Sequence, residues 1–179
     1  MPRMTKVIYI SGPSGSGKTT LARALVNRIE HSVMLDVDAL WEQGDKEWVF
    51  DKSMKHLALT NFETCLENCM RCDSVDVVIA CGVLRGSLGK DLVKAVRRVA
   101  PDIHFIQIEA DAETLEAQIA KRLNLRGVQA DAGKLAIESL ANQVTTKGLV
   151  IEVGLPIETA CKVVSEYCLV PLISCRAQH

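Results

Sequence analysis

The chain has 179 residues, enough for one domain with a substantial core. Its 21 Lys and Arg against 22 Asp and Glu give a formal net charge of −1, which excludes a general electrostatic pull toward nucleic acid or anionic membrane. Aromatic residues are 4%, so the core is expected to be built from Val, Leu, Ile and Ala. No apolar run reaches the roughly 18 residues of a membrane span, and no charged-then-apolar leader opens the sequence, which together point to a cytoplasmic protein.

Residues 6–10 (KVIYI) form a short, β-branched apolar run and read as a strand. It leads into Gly12-Pro13-Ser14-Gly15-Ser16-Gly17-Lys18-Thr19, the spacing G-x-x-x-x-G-K-[ST]. Residues 19–30 then carry Leu21, Leu25, Val26 and Ile29 at helical spacing. Strand, glycine-rich loop and helix are the frame in which backbone N–H groups converge on a phosphate at the positive end of a helix. Gly12, Ser14, Gly15, Ser16, Gly17, Lys18, Thr19 and Thr20 are the expected nucleotide-binding residues. Lys18 would reach the β- and γ-phosphates, and the Thr19 hydroxyl would serve Mg²⁺. ATP and Mg²⁺ are the implied cofactors.

Residues 33–37 read as a second strand, with Asp36 and Asp38 at its end. A helix is expected over 48–71, and 75–80 is a near-continuous apolar strand of the kind buried on both faces of a parallel sheet. Then follow a helix over 88–99, a strand over 103–108, a helix over 112–125, a strand over 148–153 and a closing helix over 156–167 with Pro156 at its start. Alternation of this kind implies an α/β fold, with a doubly wound, parallel five-stranded sheet flanked by helices in a single domain. The residues 127–133, bounded by Gly127 and Gly133, suit a short lid hinged at its two glycines.

Seven cysteines stand at 65, 69, 72, 81, 161, 168 and 175. Cys69-x-x-Cys72 lacks a second pair for zinc. Cys161, Cys168 and Cys175 recur every seven residues, one face of a helix, and an odd number fits reduced thiols. No guanine-reading N-K-x-D occurs, so a switch GTPase is disfavoured and a small kinase leads.

Leu35-Asp36-Val37-Asp38 resembles the Asp-x-Asp after the second strand of the shikimate and gluconate kinase families. The 78–85 segment (VIACGVLR) is similar to the gluconate kinase strand that runs into Cys-Ser-Ala-Leu-Lys. Arg122-Leu-Asn-Leu-Arg126 resembles that family's R-L-x-x-R at the lid. The resemblance implies a small P-loop kinase passing the γ-phosphoryl group to a hydroxyl, with a gluconate-like sugar acid as acceptor, and it makes a homodimer plausible. It also implies Asp36 near the metal, Asp38 on the acceptor as its base, Arg122 against adenine and Arg126 on the transferring group.

Arg85 is a candidate for binding the acceptor. From the residues alone, Asp36 and Asp38 can instead cap a helix starting near residue 39, and Arg122 and Arg126 can be a solvated face. Trp41 stands where gluconate kinases carry a histidine, the lid begins Gly127-Val-Gln rather than Lys-Gly-His, and no arginine lies between Arg28 and Arg71. Trp41, Trp48 and Phe50 would suit an apolar or planar acceptor as readily as they suit a core. A nucleoside, nucleotide or antibiotic acceptor, and a non-catalytic ATP-binding regulator, are the alternatives.

Overall fold

The computed structural model describes residues 5–41 and 52–173. Trp48, Phe50 and Cys175 lie outside the described residues, as do the side chains of Trp41 and Arg126. Five parallel strands, β1 (Lys6–Ser11), β2 (Ser32–Asp36), β3 (Val77–Cys81), β4 (His104–Glu109) and β5 (Leu149–Glu152), make one sheet in the order β2-β3-β1-β4-β5. Between them run α1 (Lys18–Val26), a 3-10 turn (Asp38–Trp41), α2 (Lys52–Met70), α3 (Gly86–Val99), α4 (Ala112–Arg126), α5 (Ala132–Leu140) and α6 (Ile157–Cys168).

The alternation of β1 decides the layers. Ile8 and Ile10 turn toward α1 and α6, meeting Leu21, Leu25, Cys161, Val164 and Cys168 in one buried cluster. Val7 and Tyr9 turn to the opposite face, where α2 and α3 bring Phe62, Leu66, Leu92 and Val96. Each such side chain contributes about 1.5–3 kcal/mol when fully buried, and β1 buries both faces, so it anchors the sheet. Tyr9 packs its ring edge-to-face on Phe62, 6.1 Å between centroids. Cys161 and Cys168 share the inner face of α6, as their spacing predicts, and Cys65 and Cys69 pack from α2 onto the second cluster. Among the described residues no helix is long and apolar enough to cross a membrane.

Two expectations are corrected. The first helix ends at Val26 rather than at 30, because the Ser32 hydroxyl donates to the Ile29 carbonyl at 2.6 Å and the chain turns at His31, φ 52°. The segment 127–133 is not one loop between two glycines: Asp131 accepts from the Lys134 N–H at 3.0 Å and starts α5, so Gly133 lies inside a helix. Gly127 does hold the left-handed conformation, φ 63°, that ends α4. Helix α5 packs on α4 through Ala136 against Leu115 and Ile119, a small third cluster.

Candidate active site

The chain leaves β1 for α1, then crosses to β2 on one side and to β4 on the other. That reversal opens a crevice at the carboxyl ends of the strands, where open α/β sheets bind ligands. The glycine-rich loop fills its floor. Gly15 (φ 87°) and Gly17 (φ 90°) turn the backbone so that it circles a concavity at the start of α1. Gly12 lies beneath the loop against the Ile108 carbonyl and does not line the cleft. The Ser16 hydroxyl is buried without a hydrogen-bond partner among the described residues, a group a phosphate oxygen would satisfy.

Lys18 is buried in the loop, and its Nζ donates to the Pro13 carbonyl at 2.8 Å. Burial lowers its pKa, opposed by the nearby Asp38 carboxylate. Ser14, Gly15, Ser16, Gly17, Lys18, Thr19 and Thr20 all line a cleft of about 1060 Å³. Asp36 and Asp38 enter the same cleft from the end of β2. The Asp36 Oδ1 accepts the Asp38 N–H at 3.2 Å, so Asp36 does tie the turn that follows while its other oxygen remains. Asp38 is exposed at the rim, yet the protein around its carboxyl raises its pKa through desolvation, with Lys18 pulling it back down.

Beneath these carboxylates sits Cys81, level with Asp36 in the sheet register and beside the Thr19 hydroxyl. Burial first, then Asp36, pushes its thiol up to about 11. The Tyr9 hydroxyl is also buried and has no hydrogen-bond partner among the described residues, and its pKa rises for the same reasons, burial first and then Asp38.

Arg122 lines the cleft from α4, and Arg126 closes that helix a turn later. Arg85 does not line it. Its guanidinium donates instead to the Glu138 carbonyl of α5 at 3.0 Å. Sequence reasoning missed Gln118, Lys121 and Leu125, which fall with Arg122 on the face of α4 toward the cleft, and Arg23 on α1. It also missed the loop of Val153, Gly154 and Leu155 after β5. The signals were present: α4 residues at spacings of three and four, and a glycine turn (Gly154, φ 89°) after a strand's carboxyl end.

For magnesium the donors fit. Thr19 and Asp36 supply a hydroxyl and a carboxylate at the phosphate loop, the hard oxygens that such an ion prefers. Among the described residues no group of three His, Cys, Asp or Glu could hold a metal, so an ion here would take most of its ligands from phosphates and water.

A five-stranded 2-3-1-4-5 parallel sheet carrying this loop defines a P-loop nucleotide-binding fold. Residues 7–146 match the family described as AAA domain, and the chain belongs to that family. Solved structures of similar fold include a sugar kinase from Janibacter sp. HTCC2649, 18% identical, TM-score 0.69, covering 91% of this chain and 94% of that one. The tunicamycin resistance protein of Deinococcus radiodurans is 16% identical, TM-score 0.71, covering 95% and 99%. A gluconokinase from Sinorhizobium meliloti 1021 is 17% identical, TM-score 0.61, covering 92% and 95%. These likenesses are of fold. No curated protein matches the chain significantly in sequence.

Proposed function

We propose that the protein is a Mg²⁺-dependent phosphotransferase that moves the γ-phosphoryl group of ATP onto a hydroxyl of a small molecule. One observation carries the reading: Lys18, at the phosphate loop, and Asp38, across the cleft, sit close enough that each shifts the other's pKa. A phosphate-binding cation and a carboxylate at the opposite wall are the two groups phosphoryl transfer to an alcohol needs.

In this reading the amides of Gly15 to Thr19 and the orphan Ser16 hydroxyl hold the phosphates. Lys18 exchanges the Pro13 carbonyl for phosphate oxygens and balances charge on the transferring group, joined by Arg126 when the 127–131 segment closes. Asp38 orients the acceptor hydroxyl and takes its proton as the acceptor oxygen bonds to the γ-phosphorus. The bond from that phosphorus to the bridging oxygen breaks, and ADP leaves. Thr19 and Asp36 would hold Mg²⁺, which supplies charge neutralisation at the phosphates. Arg122 with Leu125 and Val153–Leu155 would enclose the base. The acceptor that the resemblance implies is a gluconate-like sugar acid, with a nucleoside, a nucleotide or an antibiotic as the alternatives.

The test is ADP release with Mg·ATP across sugar acids, sugars, nucleosides and hydroxylated antibiotics, with Asp38→Asn alongside. The expected result is acceptor-dependent release that drops roughly a hundred- to ten-thousandfold in the variant while ATP affinity stays. Tight ATP binding with only slow, acceptor-independent release in both proteins would make this a nucleotide-binding regulator instead.

A further inference from the structure

Three cysteines near the end of α2 take no part in the cleft. Cys65, Cys69 and Cys72 follow one another at spacings of four and three, so they gather on one side of the helix and just beyond its end. Cys65 and Cys69 are half-buried against the cluster of Phe62 and Leu66, whereas Cys72 is exposed. The thiols stand close enough to act on one another: burial first, then Cys65 and Cys72, push the Cys69 thiol up. Strand β3 starts at Val77 and runs from this corner toward the cleft. The cysteines therefore stand at the amino ends of the strands, opposite the phosphate loop.

Two of the three are placed to join. The Cys72 N–H donates to the Cys69 carbonyl at 3.2 Å and closes a turn. Such a turn holds its first and last Cα within about 7 Å, and a disulfide spans about 4.4–6.8 Å. Helix α2 ends at Met70, and Asp73 and Ser74 after the pair are exposed, so the Cys72 side of the turn can adjust without unpacking the core. Cys65 and Cys69 differ, because both sit within α2. Residues four apart on a helix hold their Cβ atoms about 5–6 Å apart, where a disulfide needs about 3.5–4.5 Å, so joining them would distort the helix. Cys81, Cys161 and Cys168 are buried on other elements.

The chemistry open to the pair is that of a disulfide acceptor. Among the described residues no three of His, Cys, Asp and Glu could hold a metal ion. A thiol that catalyses disulfide exchange is kept as thiolate by a helix N-terminus or a cation. Cys69 lies instead in the last turn of α2, where the helix dipole opposes an anion, and its pKa is raised. Such a pair reacts once per chain and does not turn over.

We propose that Cys69 and Cys72 form a vicinal dithiol that a small dialkyl disulfide converts to an intramolecular disulfide. Cys72 gives up its proton, and its thiolate attacks one sulfur of the reagent. The S–S bond of the reagent breaks, and the thiolate released takes a proton. Cys69 then loses its proton and attacks the Cys72 sulfur, forming the Cys69–Cys72 bond and expelling the second thiol. Two protein thiols are oxidised, and one disulfide is reduced to two thiols. The site goes beyond the phosphotransferase reading and does not depend on it.

The experiment treats the reduced full chain with oxidised glutathione at about pH 8, quenches with an alkylating agent and maps tryptic peptides. Cleavage after Lys55, Arg71 and Arg85 places Cys69 in the peptide 56–71 and Cys72 in the peptide 72–85. The expected product is these two peptides joined, released by a reductant. Linked thiols meet at an effective concentration on the order of mM, so the bridge should exceed the Cys72–glutathione adduct by at least about tenfold. Cys69→Ser should reverse that ratio and leave glutathione on Cys72, while Cys65→Ser should leave the bridge intact. A lasting glutathione adduct on Cys72 of the unaltered chain would overturn the proposal, as would a bridge that survives Cys69→Ser or disappears with Cys65→Ser. Joined peptides found only in a covalent dimer on a non-reducing gel would overturn it too.

Discussion

The Lys18 ammonium donates to the carbonyl oxygen of Pro13 at 2.8 Å, so the lysine is folded over the loop it serves before any nucleotide arrives. Burial disfavours its charge, and the proximity of Asp38 offsets part of that. A phosphate oxygen in place of the carbonyl gives a charge-assisted hydrogen bond worth about 1.5–3 kcal/mol. Lys18→Ala should therefore weaken ATP binding roughly ten- to a hundredfold and abolish turnover, with little loss of melting temperature. Titration calorimetry and thermal melts would check both, and unchanged ATP affinity would sink the phosphate-loop assignment.

Gly15 and Gly17 have nearly the same backbone, φ 87° and 90°, but different surroundings. A Cβ on Gly15 would lie 2.9 Å from Ile119 Cγ1, whose side chain is buried between α4 and α5, whereas a Cβ on Gly17 meets nothing within 4 Å. Alanine at Gly17 carries the left-handed strain alone, about 1–2 kcal/mol. Alanine at Gly15 adds a clash in which the loop or α4 must move. Gly15→Ala should lower the melting temperature more than Gly17→Ala and should weaken ATP binding as the loop shifts. The opposite ranking in paired melts would show that α4 does not constrain the loop.

These loop residues were the most legible part of the sequence, because the G-x-x-x-x-G-K-[ST] spacing encodes a backbone shape and the flanking apolar runs encode the strand and helix around it. The central strands could be read for a related reason, because strands buried on both faces are continuous apolar runs, as 77–81 is, while the partly buried edge strands β2 and β5 showed as short apolar, β-branched runs. Strand order could not be read, since β1 pairs with β3 and β4 only through contacts distant in sequence. Helix α5 was hidden by Gly133, which resembled a hinge, although Asp131 three residues before Lys134 is a cap in plain view. The orientation of Arg85 was beyond reach, because its partner is a backbone carbonyl 53 residues away, and carbonyls leave no mark in a sequence.

That contact sets the prediction for Arg85. Its hydrogen bond to Glu138 works with two backbone bonds, Gly86 N–H to the Asn142 carbonyl at 2.9 Å and Val144 N–H to the Leu84 carbonyl at 2.8 Å. Together they fasten the end of α5 to the loop before α3. An exposed bond of this kind is worth less than about 1 kcal/mol, so Arg85→Ala should leave the melting temperature nearly unchanged. Amide hydrogen exchange over α5 and residues 141–144 should rise, and the acceptor KM should stay where it was. A raised acceptor KM with unaltered exchange would return Arg85 to the acceptor site.

Cys81 and Cys72 should behave as opposites toward a thiol reagent. Cys72 is exposed beyond the end of α2, whereas Cys81 is buried under Asp36 and Thr19 with its pKa pushed up to about 11. At pH 8 the folded protein then holds Cys81 as thiolate in about one molecule in a thousand. Iodoacetamide followed by peptide mapping should find Cys72 alkylated first and Cys81 nearly untouched, the two converging in denaturant. The sign for stability follows from the same shift. Unfolding returns the thiol toward its ordinary value of 9.0, so the folded state holds its proton to higher pH. The resulting stabilisation is present below pH 9 and is lost as pH rises through about 11. Cys81→Ala should flatten that alkaline part of the stability curve, and an unchanged alkaline limb together with rapid alkylation in the native state would show the thiol to be open to solvent.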